Sequence, residues 1–371
     1  MVSFGANGSF ISGTAINRWD PAVTTSLAGL WTRSNALALL ADDGSHVLTG
    51  DNRSEAIIYD LSLSGKGNIS GTFQRFANTF TTIDLGEGND LLDLTVHPTR
   101  NVPAYLTPVT AIGGAGADKI WAGYGADVIY GDTSNSSLIT INISLFQSGF
   151  ADQIYGGDGS DTIYGDYGAL DFANVSLGSF RFGDDYVNGG NGNDLIYGDY
   201  GDVLIGDYAS SLGLTAASLL AFGNDSISGD AGNDTIYGDS SNNSLAGLGA
   251  GQDTINGGAG NDELWGDYPA LLATGTRDFF VFAPGGGADT IKDFHQDNLA
   301  SSLAGYNDKI DLTAYAASGI HNIGDLSITY SGGDATINLG GGDTIRVEGP
   351  DNLTAPGILG NPLHSTDFIF G

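Results

Sequence analysis

The chain of 371 residues contains no cysteine. Disulfides and thiolate metal sites are excluded, so a chain working outside the cell needs another kind of cross-link. Basic residues are scarce. Twelve Lys and Arg stand against 44 Asp and Glu, a formal net charge of −32. Without a basic stripe, no nucleic-acid partner is expected. No apolar run reaches the ~20 residues of a membrane-spanning helix, so no membrane span is expected. Residues 1–20 lack both the basic start and the apolar run of a cleaved export signal. Glutamate is rare as well: Glu55, Glu87, Glu263 and Glu348 leave 40 of the 44 acids to aspartate. Aspartate favours turns, so the carboxylates are expected on turns rather than helix faces. The five histidines (46, 97, 295, 321 and 364) form no H-E-x-x-H motif, and neither a G-x-S-x-G elbow nor a P-loop occurs. No enzymatic activity is expected.

What the chain has in quantity is glycine, 59 residues, and aspartate, of which 27 lie between Asp84 and Asp293. Both fall into a nine-residue pattern, G-G-x-G-x-D-x-U-x, where U is a large apolar residue. Residues 113–130 hold two units back to back, GGAGADKIW and AGYGADVIY. The unit returns as GGDGSDTIY at 156–164, GGNGNDLIY at 189–197, GDAGNDTIY at 229–237 and GGAGNDELW at 257–265. The glycines permit positive φ and a tight turn with inward carbonyl oxygens. The aspartate adds a carboxylate at the end of that turn. Oxygens from two stacked turns suit a hard cation such as Ca2+, which takes six to eight of them. The x-U-x segment reads as a three-residue strand whose U side chain (Ile120, Ile129, Ile163, Ile196, Ile236, Leu264) points into a narrow core. A disordered acidic linker would lack this regular apolar position. Two turns and two strands make one coil of about 18 residues.

The pattern resembles the RTX (repeats-in-toxin) family of secreted bacterial proteins, over roughly half of the chain. The resemblance implies an all-β fold, a parallel β-roll with a row of Ca2+ along each edge, and on the order of eight ions. The ligands it implies are the turn glycines Gly113, Gly116, Gly125, Gly156, Gly159, Gly189, Gly192, Gly229, Gly232, Gly257 and Gly260, with Asp118, Asp127, Asp161, Asp194, Asp234 and Asp262. Asp90 and Asp289 occupy the same place in flanking units. Segments ending Y-G-D or W-G-D add Asp132, Asp166, Asp199, Asp239 and Asp267, and degenerate re-entries add Asp152, Asp185, Asp225 and Asp253. Residues 277–311 resemble the closing segment of RTX proteins, with Asp289, Asp293, Asp308 and Asp311 as the matching acids and extra residues at 295–306. The C-terminal Asp-Phe-Ile-Phe-Gly at 367–371 resembles an uncleaved type I secretion signal; the plain alternative is an edge strand. Export by the type I machinery to the cell surface or beyond is expected.

Three regions follow. Residues 1–82 read as a β-rich N-terminal cap or assembly region, with a short helix at 35–41, strands at 56–63 and 68–76, and a decayed repeat at 48–59. Residues 83–293 read as the roll, broken by a proline loop at 97–108. Residues 294–371 read as a C-terminal cap of antiparallel strands, with Gly332 and Gly333 in a hairpin turn. Within the roll, insertions at 137–146, 169–182 and 209–222 are unusually apolar. Either they fold back over the roll as extra strands or a short helix, or they form an exposed ledge for another molecule. Turn counting puts the insertions after Asp132 and Asp166 on one edge. A short coil at 198–205 would then move those after Asp207, Asp239 and Asp267 to the other.

Calcium is thus expected to drive folding. Extracellular modules bind it with dissociation constants of order 10⁻⁴ to 10⁻³ M, so the chain stays unfolded in the cell and closes outside by mass action. The expected role is a structural protein that self-associates into a surface layer, filament or matrix. The alternative is a calcium-dependent adhesin whose exposed aromatics (Trp19, Trp31, Tyr124, Tyr167, Tyr200) stack on cell-surface glycan.

Overall fold

The computed structural model describes residues 42–50, 75–96, 103–132, 150–171, 180–204, 220–241, 250–267, 276–296, 308–349 and 362–371, with short segments at 2–3, 9–16, 39–40, 52, 55–59, 67–71 and 147–148. Its secondary structure is almost entirely strand, arranged as two long sheets of thirteen and twelve strands. The strands are short because the sequence allows little else. In units such as Thr162–Tyr164 only the middle residue is apolar on the inner side, and it is fully buried while its neighbours are partly exposed. Glycine turns begin immediately on either side.

Chain order fixes the stacking. In the first sheet, Thr82–Asp84, Thr110–Ile112, Val128–Tyr130, Thr162–Tyr164, Leu195–Tyr197, Thr235–Tyr237, Glu263–Trp265 and Ala288–Ile291 lie side by side, all parallel. The second sheet runs Leu91–Asp93, Lys119–Trp121, Gln153–Asp158, Tyr186–Asn191, Ser226–Ala231, Thr254–Asn256, Phe279–Val281 and Lys309–Asp311, also parallel. The chain alternates between the sheets, so each coil contributes one strand to each, and no helical crossover is needed. Between the sheets runs a single file of apolar side chains. Ile83, Ala111, Ile129, Ile163, Ile196, Ile236, Leu264 and Ile291 face Leu92, Ile120, Ile154, Val187, Ile227, Ile255, Phe280 and Ile310, each at most 2% exposed. Fully burying one such side chain is worth about 1.5–3 kcal/mol, and each coil has only two.

The stacking continues on both sides of residues 83–293. Val47–Thr49 and Glu55–Ile58 form a coil at the N-terminal end, placing Leu48 and Ile57 in the core file. Leu39–Leu40, inside the segment expected to be helical, is a strand pairing with Arg75–Phe76; its flanking residues lie outside the described ones. At the other end Asp343–Val347 joins the first sheet in parallel. Asp334–Gly340 and Ser327–Ser331 then extend that sheet in antiparallel order through the Gly332–Gly333 turn, where φ is +69° and +103°. Phe368–Ile369 is the last rung of the second sheet.

The insertions do not change edge. Each runs from a first-sheet strand to the following second-sheet strand: Tyr130 to Gln153, Tyr164 to Tyr186, Tyr197 to Ser226, Tyr237 to Thr254, and Trp265 to Phe279. The segment read as a short extra coil is instead the root of one insertion. Its strand Tyr200–Leu204 pairs with Tyr167–Asp171 of the preceding insertion, not with the roll. Gln147–Ser148, Phe180–Arg181 and Leu220–Ala221 likewise pair with one another. At their roots the insertions therefore stack on each other as added strands with the periodicity of the roll. They share a small aromatic core in which Tyr167, Phe182, Tyr200 and Phe222 are buried, with ring centroids 5.2–6.1 Å apart. Insertion interiors, Asp207, Trp19 and Trp31 lie outside the described residues.

Candidate metal sites along the two edges

Between Lys119 and Ile291 every turn from the second sheet back to the first is short; this is the regular edge. On it, each aspartate uses one oxygen as a structural acceptor. The Oδ1 of Asp161 accepts the Asp127 N–H at 2.7 Å. Asp194, Asp234 and Asp262 repeat the bond to Asp161, Asp194 and Asp234 at 2.8–2.9 Å, and Asp289 does so to Asp262 at 3.1 Å. The other oxygen, Oδ2 of Asp161, Asp194, Asp234 and Asp262, is buried and has no hydrogen-bond partner. A buried orphan carboxylate oxygen costs several kcal/mol unless a cation meets it.

The glycines explain where that oxygen points. A β-carbon built on Gly156 would lie 2.3 Å from the Gly189 carbonyl oxygen and 2.5 Å from Asp161 Oδ2. Two oxygens from successive coils thus converge beside the glycine, where any side chain would intrude. Gly229 repeats this arrangement with the Gly257 carbonyl and Asp234. The fourth glycine of the turn has a different task. Gly192 has φ of +149°, and a β-carbon there would sit 1.4 Å from the Gly159 carbonyl oxygen, so the coils could not stack. Gly125, Gly159, Gly232 and Gly260 hold the same place in neighbouring turns, and Gly189 and Gly257 take the first place; Gly113 and Gly116 hold the two places in a turn of the opposite edge.

The opposite edge carries the insertions. Its aspartates form an equivalent ladder. The N–H groups of Asp90, Asp118, Asp152, Asp185, Asp225, Asp253 and Asp278 donate to Oδ1 of Asp118, Asp152, Asp185, Asp225, Asp253, Asp278 and Asp308 respectively, at 2.6–3.0 Å. Oδ2 of Asp118, Asp152, Asp185, Asp225, Asp253 and Asp278 is again buried and without a partner. The structure thus brings the expected site aspartates into two rows. It adds Asp278, which the glycine template missed, and Asp308, expected above only as an acid of the closing segment. Thr276 replaces the turn glycine before Asp278, its hydroxyl donating to the Gly251 carbonyl. The legible signal was Asp278 two residues before the buried Phe280. Asp293 also belongs to this edge, donated to by the N–H groups of Gly266 and Asp267. Asp311 does not join a row; it accepts the Thr313 N–H.

In the ion-free chain, burial raises these carboxyls. On the regular edge Asp127 and Asp194 are pushed up to about 6, and Asp161, Asp234 and Asp289 to about 7. On the insertion edge burial first, then neighbouring carboxylates, hold Asp152, Asp166, Asp199, Asp225 and Asp239 well above the usual range. His295 is the exception among the ionisable groups here. Burial alone would lower its imidazole, but the nearby carboxylate of Asp308, with those of Asp267 and Asp293, pushes it up to about 10. Its Nδ1 lies 3.6 Å from Asp308 Oδ2 and 3.7 Å from Asp267 Oδ2.

Among the described residues no three acidic or histidine side chains converge as a ready side-chain cluster. The remaining oxygens must come from turn carbonyls, which suits a hard divalent cation and not a thiophilic or imidazole-seeking one. Buried carboxylate oxygens orphaned in two rows, with turn carbonyls close beside them, fit Ca2+. Bound there, it would supply the countercharge that the buried rows lack.

Of the aromatics expected to stack on glycan, two are buried and one is exposed. Tyr167 and Tyr200 are 5% and 1% exposed, buried in the insertion core rather than offered to a glycan; Tyr124 is 37% exposed. Tyr130, Tyr164, Tyr197, Tyr237 and Trp265 form a stacked ladder with centroids 4.5–5.2 Å apart, so their faces are taken by one another. No helix among the described residues is long and apolar enough to cross a membrane.

The sequence profile of the RTX calcium-binding nonapeptide repeat, in four copies, matches residues 110–138, 147–169, 182–202, 221–249 and 248–267. No curated protein matches the chain. Such repeats bind Ca2+ and are typical of proteins exported by type I secretion. The turns between residues 110 and 267 are RTX calcium-binding nonapeptide repeats.

Proposed function

We propose that this chain is an extracellular structural protein that folds on meeting calcium outside the cell and then self-associates through its insertion-bearing edge. One observation carries this reading. The apolar insertions all spring from the same edge, and their roots pair with one another in register, Phe180–Arg181 lying between Gln147–Ser148 and Leu220–Ala221. Apolar insertion sequences rooted side by side on one edge are what a layer or filament subunit needs. The adhesin reading loses support with the burial of Tyr167 and Tyr200. No catalytic role is assigned, and the sequence supplies no catalytic motif for one. Secretion by the type I route fits the same scheme. The segment at 367–371 is folded as the last rung of the second sheet, so any secretion machinery would read it on the unfolded chain.

The test is a calcium titration of EDTA-stripped protein followed together by circular dichroism and light scattering. The expected result is strand signal and large particles rising together near millimolar calcium. Strand signal from a persistent monomer sinks the assembly reading and turns the search to glycans.

A further inference from the structure

The insertion edge differs from the regular edge in one chemical respect. In its intact turns at 85–90 and 113–118 the second turn position is glycine, Gly86 and Gly114, while the sequence of the N-terminal turn at 50–55 has Asp51 there. Wherever the turn is opened between Tyr130 and Lys309, that position is aspartate: Asp132, Asp166, Asp199, Asp239, Asp267 and Asp293. Opening a turn carries away carbonyl oxygens that an intact turn supplies. A carboxylate at the point of departure replaces them with two oxygens of its own.

These departing aspartates are 0–2% exposed from Asp132 to Asp267. One oxygen of three of them closes the neck of its own insertion. Asp166 accepts the Gly183 N–H at 2.9 Å, Asp199 the Gly223 N–H at 3.1 Å and Asp239 the Gly251 N–H at 3.0 Å. The second oxygen has no partner: Oδ1 of Asp166, Oδ2 of Asp199 and Oδ2 of Asp239, while Asp132 and Asp267 have neither oxygen hydrogen-bonded. Each therefore adds an orphan oxygen beside that of the re-entering aspartate, and like charges repel across the Asp166–Asp185, Asp199–Asp225 and Asp239–Asp253 pairs. A buried pair of carboxylates of this kind is tolerable only with a proton or a cation between them.

The last opened turn is an internal control. Asp293 spends both oxygens on the Gly266 and Asp267 N–H groups, and Asp308 spends its own on the Asp278 and His295 N–H groups. Neither leaves an orphan oxygen. The His295 imidazole lies there between Asp267 and Asp308.

We propose that the insertion edge holds a second class of divalent-cation site, with one ion between the departing and the re-entering aspartate at the root of each insertion, paired as 132 with 152, 166 with 185, 199 with 225, 239 with 253 and 267 with 278. The ion closes the neck of the insertion and so makes the ledge itself dependent on the cation. This rests on the calcium-folded reading above but not on self-association.

The test uses the full chain and calcium alone, with stoichiometry read by equilibrium dialysis. The triple variant Asp166→Asn, Asp199→Asn, Asp239→Asn keeps an oxygen to accept the neck hydrogen bond and removes only charge. It is expected to bind about three fewer ions, to retain the strand signal of the roll in calcium, and to be cut by chymotrypsin within 167–222 while the parent resists. The triple Asp161→Asn, Asp194→Asn, Asp234→Asn on the regular edge is expected to lose ions without opening the insertions to cleavage. An unchanged ion count in the insertion-edge triple, with the regular-edge triple reduced, overturns the second class of site and leaves the calcium roll standing. An unchanged count in both overturns the calcium reading of the roll itself. If the insertion-edge triple does not fold, the single variant Asp199→Asn decides: loss of about one ion supports the proposal and an unchanged count overturns it.

Discussion

At the scale of single residues, glycine and aspartate divide the work. Gly192 shows why the fourth turn position tolerates nothing else: the left-handed φ and the Gly159 carbonyl 1.4 Å from a would-be β-carbon both forbid a side chain. Gly192→Ala is expected to force neighbouring coils apart and to remove an ion there. Amide hydrogen exchange in calcium should show protection lost locally, at 156–161 and 189–194. Ile196→Ala acts differently. It removes a fully buried member of a single-file core, at a cost of about 2–5 kcal/mol, and leaves the turns intact. Thermal unfolding in saturating calcium should show that loss with an unchanged ion count. Both roles were legible in the sequence, because the pattern places glycine, aspartate and the apolar residue at fixed offsets. Asp278 was not, since Thr276 breaks the template and only its distance from Phe280 marks it. The paired role of Asp132, Asp166 and Asp199 was also hidden. Sequence places them at the ends of strands, and only the fold brings Asp152, Asp185 and Asp225 opposite them after long detours.

At the scale of an element, a turn is a machine for burying charge. The regular-edge carboxyls ionise in the unfolded chain near 3.8 and, without metal, at about 6 for Asp127 and Asp194 and about 7 for Asp161, Asp234 and Asp289, because burial disfavours the anion. A carboxyl raised in this way favours the folded state at low pH, and that contribution disappears as pH rises through its folded value. The ion-free roll should therefore hold more strand at pH 5 than at pH 8, which circular dichroism in EDTA can read. Calcium must displace those protons, so the calcium concentration at mid-transition should rise as pH falls from 8 to 6. A midpoint indifferent to pH across that range would contradict the buried-carboxylate origin of the dependence. The element scale is also where the sequence reading went astray. A nine-residue period cannot say which edge a turn occupies once an insertion interrupts it. The run at 198–205 imitates a coil in glycine and aspartate, yet Tyr200–Leu204 pairs with its counterpart Tyr167–Asp171 outside the roll. Pairing partners, not periodicity, decide edge.

At the scale of the whole molecule, stability is distributed along one axis. Each coil contacts its neighbours and adds two apolar side chains to the file, too little to offset the conformational entropy of about 18 ordered residues. Charge makes the deficit worse, since a net −32 is confined to a rod whose buried aspartates lie in rows. Cations binding only the folded state supply the difference by mass action, and the identity of the ion matters. Mg2+ demands near-octahedral geometry at 2.0–2.1 Å and gives up its water reluctantly, whereas Ca2+ accepts six to eight oxygens in flexible geometry, as carbonyls and carboxylates of stacked turns can supply. General screening by salt lowers repulsion between coils but cannot reach an oxygen with no exposed surface. Removing calcium with a chelator is therefore expected to unfold the roll at neutral pH. Equal magnesium should not restore the strand signal, and molar sodium chloride should restore little of it. Full refolding by magnesium would mean that the rows need only countercharge, and the stacked-turn geometry would then have no part in choosing the ion.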